Sequence, residues 1–263
     1  MLTDLKDKVV LISGASGGIG QATARAFAGE GSRLALHYHT DADAASQLRD
    51  SIRGADALLL QADLREEPAA AAMFQAAIEH FGRVDAVVVN AGTWAREHTP
   101  LHQMSLDQWR QIIDADLTSA FLTCRAFLRH LKEAPREAAS IVMVGSTAAM
   151  FGEAGNAEYA AAKAGMVYGL TLSLKNEIIH LAPRGRINAV CPGWVDTPAA
   201  RATIGGGPSM DRILSTIALK KIATAEDCAA AIVFLSSDRL AGHISGVILP
   251  VAGGMEGRVL HGR

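Results

Sequence analysis

Residues 9–20 read Val9-Val-Leu-Ile-Ser-Gly-Ala-Ser-Gly-Gly-Ile-Gly20, and this stretch decides the fold. Val9–Ile12 is a short apolar run with two valines, the composition of a buried strand. Gly14, Gly18 and Gly20 follow at once, and Gln21–Glu30 then carries Ala24, Phe27 and Ala28 at helical spacing. Strand, glycine turn and helix together present backbone N–H groups and a helix N-terminus to phosphate. Glycine lets the chain turn tightly there and lets a pyrophosphate come close. The spacing is G-x-x-x-G-x-G, not the commoner G-x-G-x-x-G. A bare glycine cluster is more often only a turn. Its place after a strand and before a helix moves the reading to a nucleotide site.

Working outward, strand-like runs alternate with helical patterns. The strands are expected at Lys8–Ile12, Arg33–His37, Ala57–Gln61, Ala86–Asn90, Ser140–Gly145, Arg186–Val190 and Gly246–Val251. The clearest helix is Trp109–Leu131, whose apolar residues recur at i+3 and i+4. Ala157–Leu181 is a second long one, and Pro68 followed by four alanines is a helix start. This alternation predicts an α/β chain, a doubly wound parallel sheet of about seven strands with helices on both faces. At 263 residues it fits a single domain with a large core.

A second motif carries chemistry. Ser146 closes the apolar run Ser140–Gly145, and Tyr159 and Lys163 lie four apart in Tyr-Ala-Ala-Ala-Lys. That spacing puts phenol and ammonium on one helix face. The ammonium is expected to lower the tyrosine pKa from about 10. A tyrosine so tuned exchanges a proton with a reacting oxygen, and a serine hydroxyl beside it holds that oxygen. The trio points to carbonyl/alcohol redox chemistry with hydride from a cofactor. Alone it is weak, because a Tyr–Lys pair on a helix is usually an ordinary surface or packing pair.

The two motifs, in this order and separation, resemble the short-chain dehydrogenase/reductase family, non-extended branch, over nearly the whole chain. Ser13–Gly20 is similar to the family's Thr-Gly-x-x-x-Gly-Ile-Gly loop, with Ser13 for Thr. Asp63-Leu64 resembles its adenine-contacting pair, and Asn90-Ala91-Gly92 its Asn-Asn-Ala-Gly motif. Pro192-Gly193, Val195 and Thr197 resemble the segment whose Thr contacts the nicotinamide carboxamide. The resemblance implies a Rossmann-type fold and a cofactor site of Gly14, Ser16, Gly18, Ile19, Gly20, Tyr38, His39, Asp63, Leu64, Asn90, Ala91, Gly92, Pro192, Gly193, Val195 and Thr197, with Tyr159 and Lys163. It also implies that Lys163 binds the nicotinamide ribose.

Two departures stand out. Asp116 occupies the position of the family's catalytic Asn, whose main-chain carbonyl holds a water linking the Lys to solvent. A buried carboxylate is costly unless paired, so Asp116 is expected to reach Lys163 through that water and alter the tyrosine's tuning. Ala252 stands where an Asp often precedes the Gly253-Gly254 pair.

For the cofactor, the position that carries an acidic residue in NAD-selective relatives is Tyr38, at 24 residues from Gly14. No carboxylate repels a 2′-phosphate there, and His37, His39, Ser16 or Thr40 could donate to it. The usual Arg is missing, with Gly17 and His39 in its places, and Asp41 and Asp43 lie close. NADP(H) is favoured and NAD(H) remains possible. His37-x-His39 also invites a metal, yet no third and fourth ligands appear nearby, so no metal is expected and a polar-surface or cofactor-rim role is preferred.

Apolar content of 49% and a net charge of −2 describe a globular chain with no basic surplus for nucleic acid. Cys124, Cys191 and Cys228 are far apart and odd in number, which fits reduced thiols and a cytoplasmic location. No apolar run reaches 18 residues and the N-terminus lacks a signal core, so no membrane partner is expected. The partner is a small carbonyl or alcohol substrate, bound among Thr93–His98, Ala148–Glu153, Trp194 and a lid around 197–216. By resemblance, the nearest types are 3-oxoacyl carrier-protein reductases and sugar or polyol dehydrogenases. The mixed charge of Lys132–Glu137 argues against an acidic carrier protein. The two long helices form the subunit interface in the family, implying a homotetramer, or failing that a homodimer. Alternatives are a non-catalytic dinucleotide-binding redox sensor, favoured only by Asp116, and an epimerase or dehydratase of the extended branch.

Overall fold

A computed structural model describes residues 2–52, 54–94, 98–198, 200–201 and 210–255. Seven parallel strands run β1 (Val9–Ile12), β2 (Arg33–Tyr38), β3 (Ala57–Gln61), β4 (Ala86–Val89), β5 (Ala138–Val144), β6 (Arg184–Pro192) and β7 (Ile248–Val251). Their order across the sheet is β3-β2-β1-β4-β5-β6-β7. The order reverses between β1 and β4, which pair in register from Val10 opposite Ala86. Ligands of open α/β sheets bind at such a switch point, beyond the carboxyl ends of the strands. The expected seven-strand, single-domain Rossmann-type architecture is the one found.

The strands are apolar on both faces because helices cover both. Val9, Leu11, Val87, Val89, Ile141 and Met143 face one core with Phe74 and Phe127. Val10, Ile12, Leu34, Leu36, Val88 and Val142 face the other with Phe27 and Ile232. This is the period of two read on a doubly covered sheet. Each large side chain so buried contributes about 1.5–3 kcal/mol.

The helices are α1 (Gly18–Gly29), α2 (Ala42–Ser51), α3 (Glu67–Phe81), α4 (Leu106–Ile112), α5 (Ser119–Glu133), α6 (Thr147–Phe151), α7 (Ala157–Ala164), α8 (Thr171–Glu177), α9 (Met210–Ser215), α10 (Ala225–Ser236) and α11 (Asp238–Ala241). Several carry local start signals. Asp41 accepts from the Ala44 N–H at α2, Ser105 from Gln108 at α4, and Thr224 and Asp227 form a capping box at α10. Pro68 lies in the first turn of α3.

Helix α1 begins at Gly18 rather than Gln21, inside the glycine loop. The two long helices are not uniform: Ile113–Thr118 is a π-helical turn between α4 and α5, and Gly165–Leu170 another between α7 and α8. Gly165 sits there because a Cβ would come 2.9 Å from Leu117 Cδ2. The two wide turns therefore touch through Gly165 and Leu117, and the first carries Asp116.

Candidate active site

The glycine loop is braced from three sides. Gly14 has φ +64°, and its N–H donates to His37 Nδ1 at 2.9 Å. Ser13 is fully buried; its hydroxyl accepts from the Asn90 and Ala91 N–H groups, both at 2.9 Å. The Asn90 amide donates to the carbonyls of Ser13 (3.1 Å) and Gly14 (2.9 Å). The loop after β4 thus clamps the loop after β1 at the switch point.

The cradle has no room for side chains. A Cβ at Gly20 would lie 2.3 Å from the Gly14 carbonyl oxygen, and one at Gly18 2.7 Å from the Thr197 methyl group. Gly17 supplies no side-chain cap, so the first N–H groups of the twelve-residue α1 remain available to an anion. The donor set and the space fit the pyrophosphate of a dinucleotide. The same contact brings Thr197 and Pro198 against the loop at Gly18, whereas Gly193 lies against Ala252 and Val195 pairs with Ala223.

His37 is a correction to the sequence reading. It is buried rather than on a polar rim, and both ring nitrogens are engaged, Nδ1 by Gly14 and Nε2 by the Ala62 carbonyl at 3.0 Å. Burial pulls its pKa below the ordinary histidine value of 6.5, against the Ala62 bond. A neutral ring, accepting at Nδ1 and donating at Nε2, meets both partners. Its position among Leu34, Ala35 and Leu36 of β2 was the available sequence signal.

At the ends of β2 and β3, Tyr38 stands opposite Gln61. Asp63 is held by Arg65, which donates from Nε at 2.9 Å and from Nη2 at 2.6 Å. That bond draws the Asp63 pKa down to about 2. His39 lies 3.7 Å from the same carboxylate. Arg65 is a cation at this rim that the sequence reading missed. Leu64 is buried, and Asp41 is committed to capping α2.

The chemical trio converges beyond β5. Ser146 caps α6, its hydroxyl accepting from the Ala148 N–H at 3.1 Å. Tyr159 and Lys163 share a face of α7, with the ammonium 5.6 Å from the centre of the phenol ring. Lys163 is almost fully buried and its Nζ donates to the Val144 carbonyl at 3.3 Å. Asp116 is fully buried and pairs with it directly, Oδ2 to Nζ at 3.1 Å, rather than through a water. Asp116 Oδ1 accepts the Thr93 N–H at 2.7 Å, which fixes the carboxylate. A Cβ at Gly92 would be 3.0 Å from both Oδ2 and Nζ, so this glycine lies directly over the ion pair.

The electrostatics differ from expectation. Burial opposes the Lys163 charge, yet Asp116 and Tyr159 prevail and hold its pKa above the usual lysine value. Burial raises the Tyr159 pKa; Lys163 and a Ser146 hydrogen bond pull it down, Asp116 and Glu153 push it up, and the net is upward. The expected lowering by the ammonium exists but is outweighed, because Asp116 neutralises that ammonium and the phenol is desolvated.

On the substrate side, Trp94 and Trp194 meet edge to face, with centroids 5.9 Å apart at 74°. The segment holding Trp94 is joined to the turn between α6 and α7 by the Thr99 N–H on the Gly155 carbonyl, 2.8 Å. Arg96 and residues 202–209 of the expected lid, including Gly205–Gly207 and Pro208, lie outside the described residues. Among those residues, no three histidine, cysteine or carboxylate groups gather as metal ligands, and no helix is long and apolar enough to cross a membrane. A cavity of about 780 Å³ lies at the opposite, amino-terminal ends of the strands, against Arg25, Ser51 and Asp56, away from this chemistry.

The fold is an open, doubly wound α/β sheet, with Ser146 after β5 and with Tyr159 and Lys163 together on α7. A family model described as enoyl-(acyl carrier protein) reductase matches residues 14–256. The chain is 36% identical to a cis-4-hydroxycyclohexanecarboxylate dehydrogenase of Sinomonas cyclohexanicum, covering 94% of this chain and 96% of the relative. It is 34% identical to a 3-oxoacyl-[acyl-carrier-protein] reductase of Synechocystis, covering 97% and 99%. The crystal structure of levodione reductase superposes with a TM-score of 0.88 at 28% identity, over 95% of this chain and 98% of that one. The chain belongs to the short-chain dehydrogenase/reductase family and is an NAD(P)-dependent oxidoreductase acting on CH–OH/C=O groups.

Proposed function

We propose that the protein is an NADP(H)-preferring reductase/dehydrogenase that interconverts a ketone and a secondary alcohol, with Tyr159 as general acid/base, Ser146 holding the reacting oxygen, and Lys163 and Asp116 supporting them. The carrying observation is the convergence of Ser146, Tyr159 and the Lys163–Asp116 pair on one side of the braced glycine cradle. Bound cofactor supplies or takes the hydride. The Ser146 hydroxyl donates to the substrate carbonyl oxygen and orients it toward the phenol. Tyr159 gives its proton to that oxygen as the alcohol forms, and accepts it in the reverse direction. A phenol held protonated is ready as a donor at neutral pH, which favours reduction there; oxidation gains as pH rises.

Preference for NADP(H) is supported by the absence of a carboxylate at Tyr38, by Asp41 being spent as a helix cap, and by His39 and Arg65 at the same rim. NAD(H) is the lesser alternative. The named activities of the relatives, on a hydroxycyclohexanecarboxylate and on a carrier-bound oxoacyl group, both fit carbonyl/alcohol exchange. A lid formed around 197–216, a homotetramer and a cytoplasmic location complete the reading. Three buried, unbridged cysteines suit a reducing compartment.

The experiment is a fluorescence titration with NADPH and NADH, followed by turnover on a ketone panel by wild type and Tyr159→Phe. Tighter NADPH binding is expected, with kcat of Tyr159→Phe down by about a thousandfold at little change in cofactor affinity. Surviving turnover would overturn the proton-transfer role, and tighter NADH would overturn the cofactor preference.

A further inference from the structure

Helix α7 carries Tyr159 but has little of its own to fix where it starts. Asn156 precedes it without a side-chain cap, and after eight residues the helix widens into the π turn at Gly165. The fixing contacts come from the stretch 106–118, α4 and the π turn after it, which packs along α7. Gln108 donates from Nε2 to Glu158 Oε1 at 2.9 Å, one residue before the tyrosine. Asp116 pairs with Lys163 at 3.1 Å, four residues after it. Leu117 meets Gly165 two residues further on.

The Gln108–Glu158 bond is made against local preference. Ser105 and Gln108 have the Ser-x-x-Gln spacing of a capping box, and the Ser105 hydroxyl accepts the Gln108 N–H at 3.1 Å. The Gln108 amide, however, donates across to α7. Glu158 is fully buried, and its Oε2 has no hydrogen-bond partner among the described residues. A carboxylate buried against one neutral donor is costly, and the N–H ends of the first turn of α7, where it lies, offset only part of that cost.

The consequence is rotational. Neighbouring residues stand about 100° apart around a helix of 3.6 residues per turn. A bond that draws Glu158 toward α4 therefore sets the angle at which Tyr159 leaves α7, and the Asp116–Lys163 pair sets it again one turn on. A reacting group displaced by about 1 Å loses about a hundredfold in rate.

We propose that Gln108 and Glu158 are positioning residues for Tyr159: their buried bond, together with the Asp116–Lys163 pair, fixes α7 on both sides of the tyrosine and sets where the phenol meets the reacting oxygen. The inference rests on the reading of Tyr159 as the general acid/base.

The test measures kcat, KM and NADPH affinity on the ketone that wild type turns over best. In Gln108→Met/Glu158→Met both polar partners become apolar side chains of similar size, a change nearly neutral for folding. Its kcat is expected to fall by about ten- to a hundredfold. Its KM and NADPH affinity are expected to stay within about threefold, because Lys163 keeps Asp116 and the Val144 carbonyl. Glu158→Gln removes the charge but keeps an acceptor for Gln108, and is expected to retain kcat within about threefold. A pair that served stability alone would move the unfolding midpoint and leave kcat per folded molecule unchanged. An unchanged kcat in the double variant, a loss confined to KM, or Glu158→Gln as slow as the double variant would each overturn the inference. Should the double variant fail to fold, Gln108→Ala takes its place in the same comparison. Tyr159→Phe separates the two readings: wild-type turnover there removes the proton-transfer role itself, whereas an inactive Tyr159→Phe beside a normal double variant sinks only the positioning role.

Discussion

At residue scale, Asp116 is the most consequential departure from the family pattern. It joins Lys163 directly, is anchored by the Thr93 N–H, and its charge raises the proton affinity of Tyr159. Asp116→Asn removes that charge while keeping an acceptor for Thr93. The phenol pKa then falls, and the pH profile of alcohol oxidation moves to lower pH. A kcat/KM profile of both proteins checks this; an unmoved profile would show that Asp116 only positions the lysine. Asp116→Leu leaves the buried ammonium without its counter-charge, holding only the Val144 carbonyl, and costs about 3–5 kcal/mol in denaturant unfolding. The Tyr–Lys spacing and the serine were legible because they are local in sequence. The net direction of the tyrosine shift was not, because it depends on a carboxylate from another helix and on burial.

At element scale, the glycine loop works because strand, turn and helix are held from outside. His37 on β2 bonds Gly14, 23 positions away, and ties the loop to Ala62 after β3. Its folded-state pKa lies below 6.5, so between the two values the unfolded chain binds a proton that the folded one does not. Its contribution is complete above the unfolded value and is lost as pH falls through the window below it. Urea unfolding from pH 7.5 to 5.5 is expected to show wild type losing stability more steeply than His37→Gln; parallel slopes would sink the assignment. The periodicity of 109–131 and 157–181 made both helices legible. The π turns inside them were not, because a wide turn breaks the period by one residue only where Leu117 and Gly165 meet.

For the whole molecule, the same two helical segments leave large side chains in solvent. Phe121 on α5 is 43% exposed, and Tyr168 in the π turn before α8 is 45% exposed. A homotetramer, or a homodimer, that packs these segments against their copies would cover both. Light scattering of wild type is expected to give the assembled mass, and Phe121→Glu with Tyr168→Glu to give monomer. A monomeric wild type would refute the assembly. Charge burial at such an interface is unfavourable by several kcal/mol, which is why a paired substitution should suffice.

The sequence by itself determined the alternation of strands and helices, the glycine cradle and the spacing of Ser146, Tyr159 and Lys163. Each is a short-range pattern whose period or motif reports its own conformation. Tertiary structure alone decided the reversal of strand order beside β1, the His37 clamp, the direct Asp116–Lys163 pair and the edge-to-face meeting of Trp94 with Trp194. These depend on which distant segments the sheet brings together and on how much water that packing removes, and both set the energy of a charge or hydrogen bond as strongly as the residue types do.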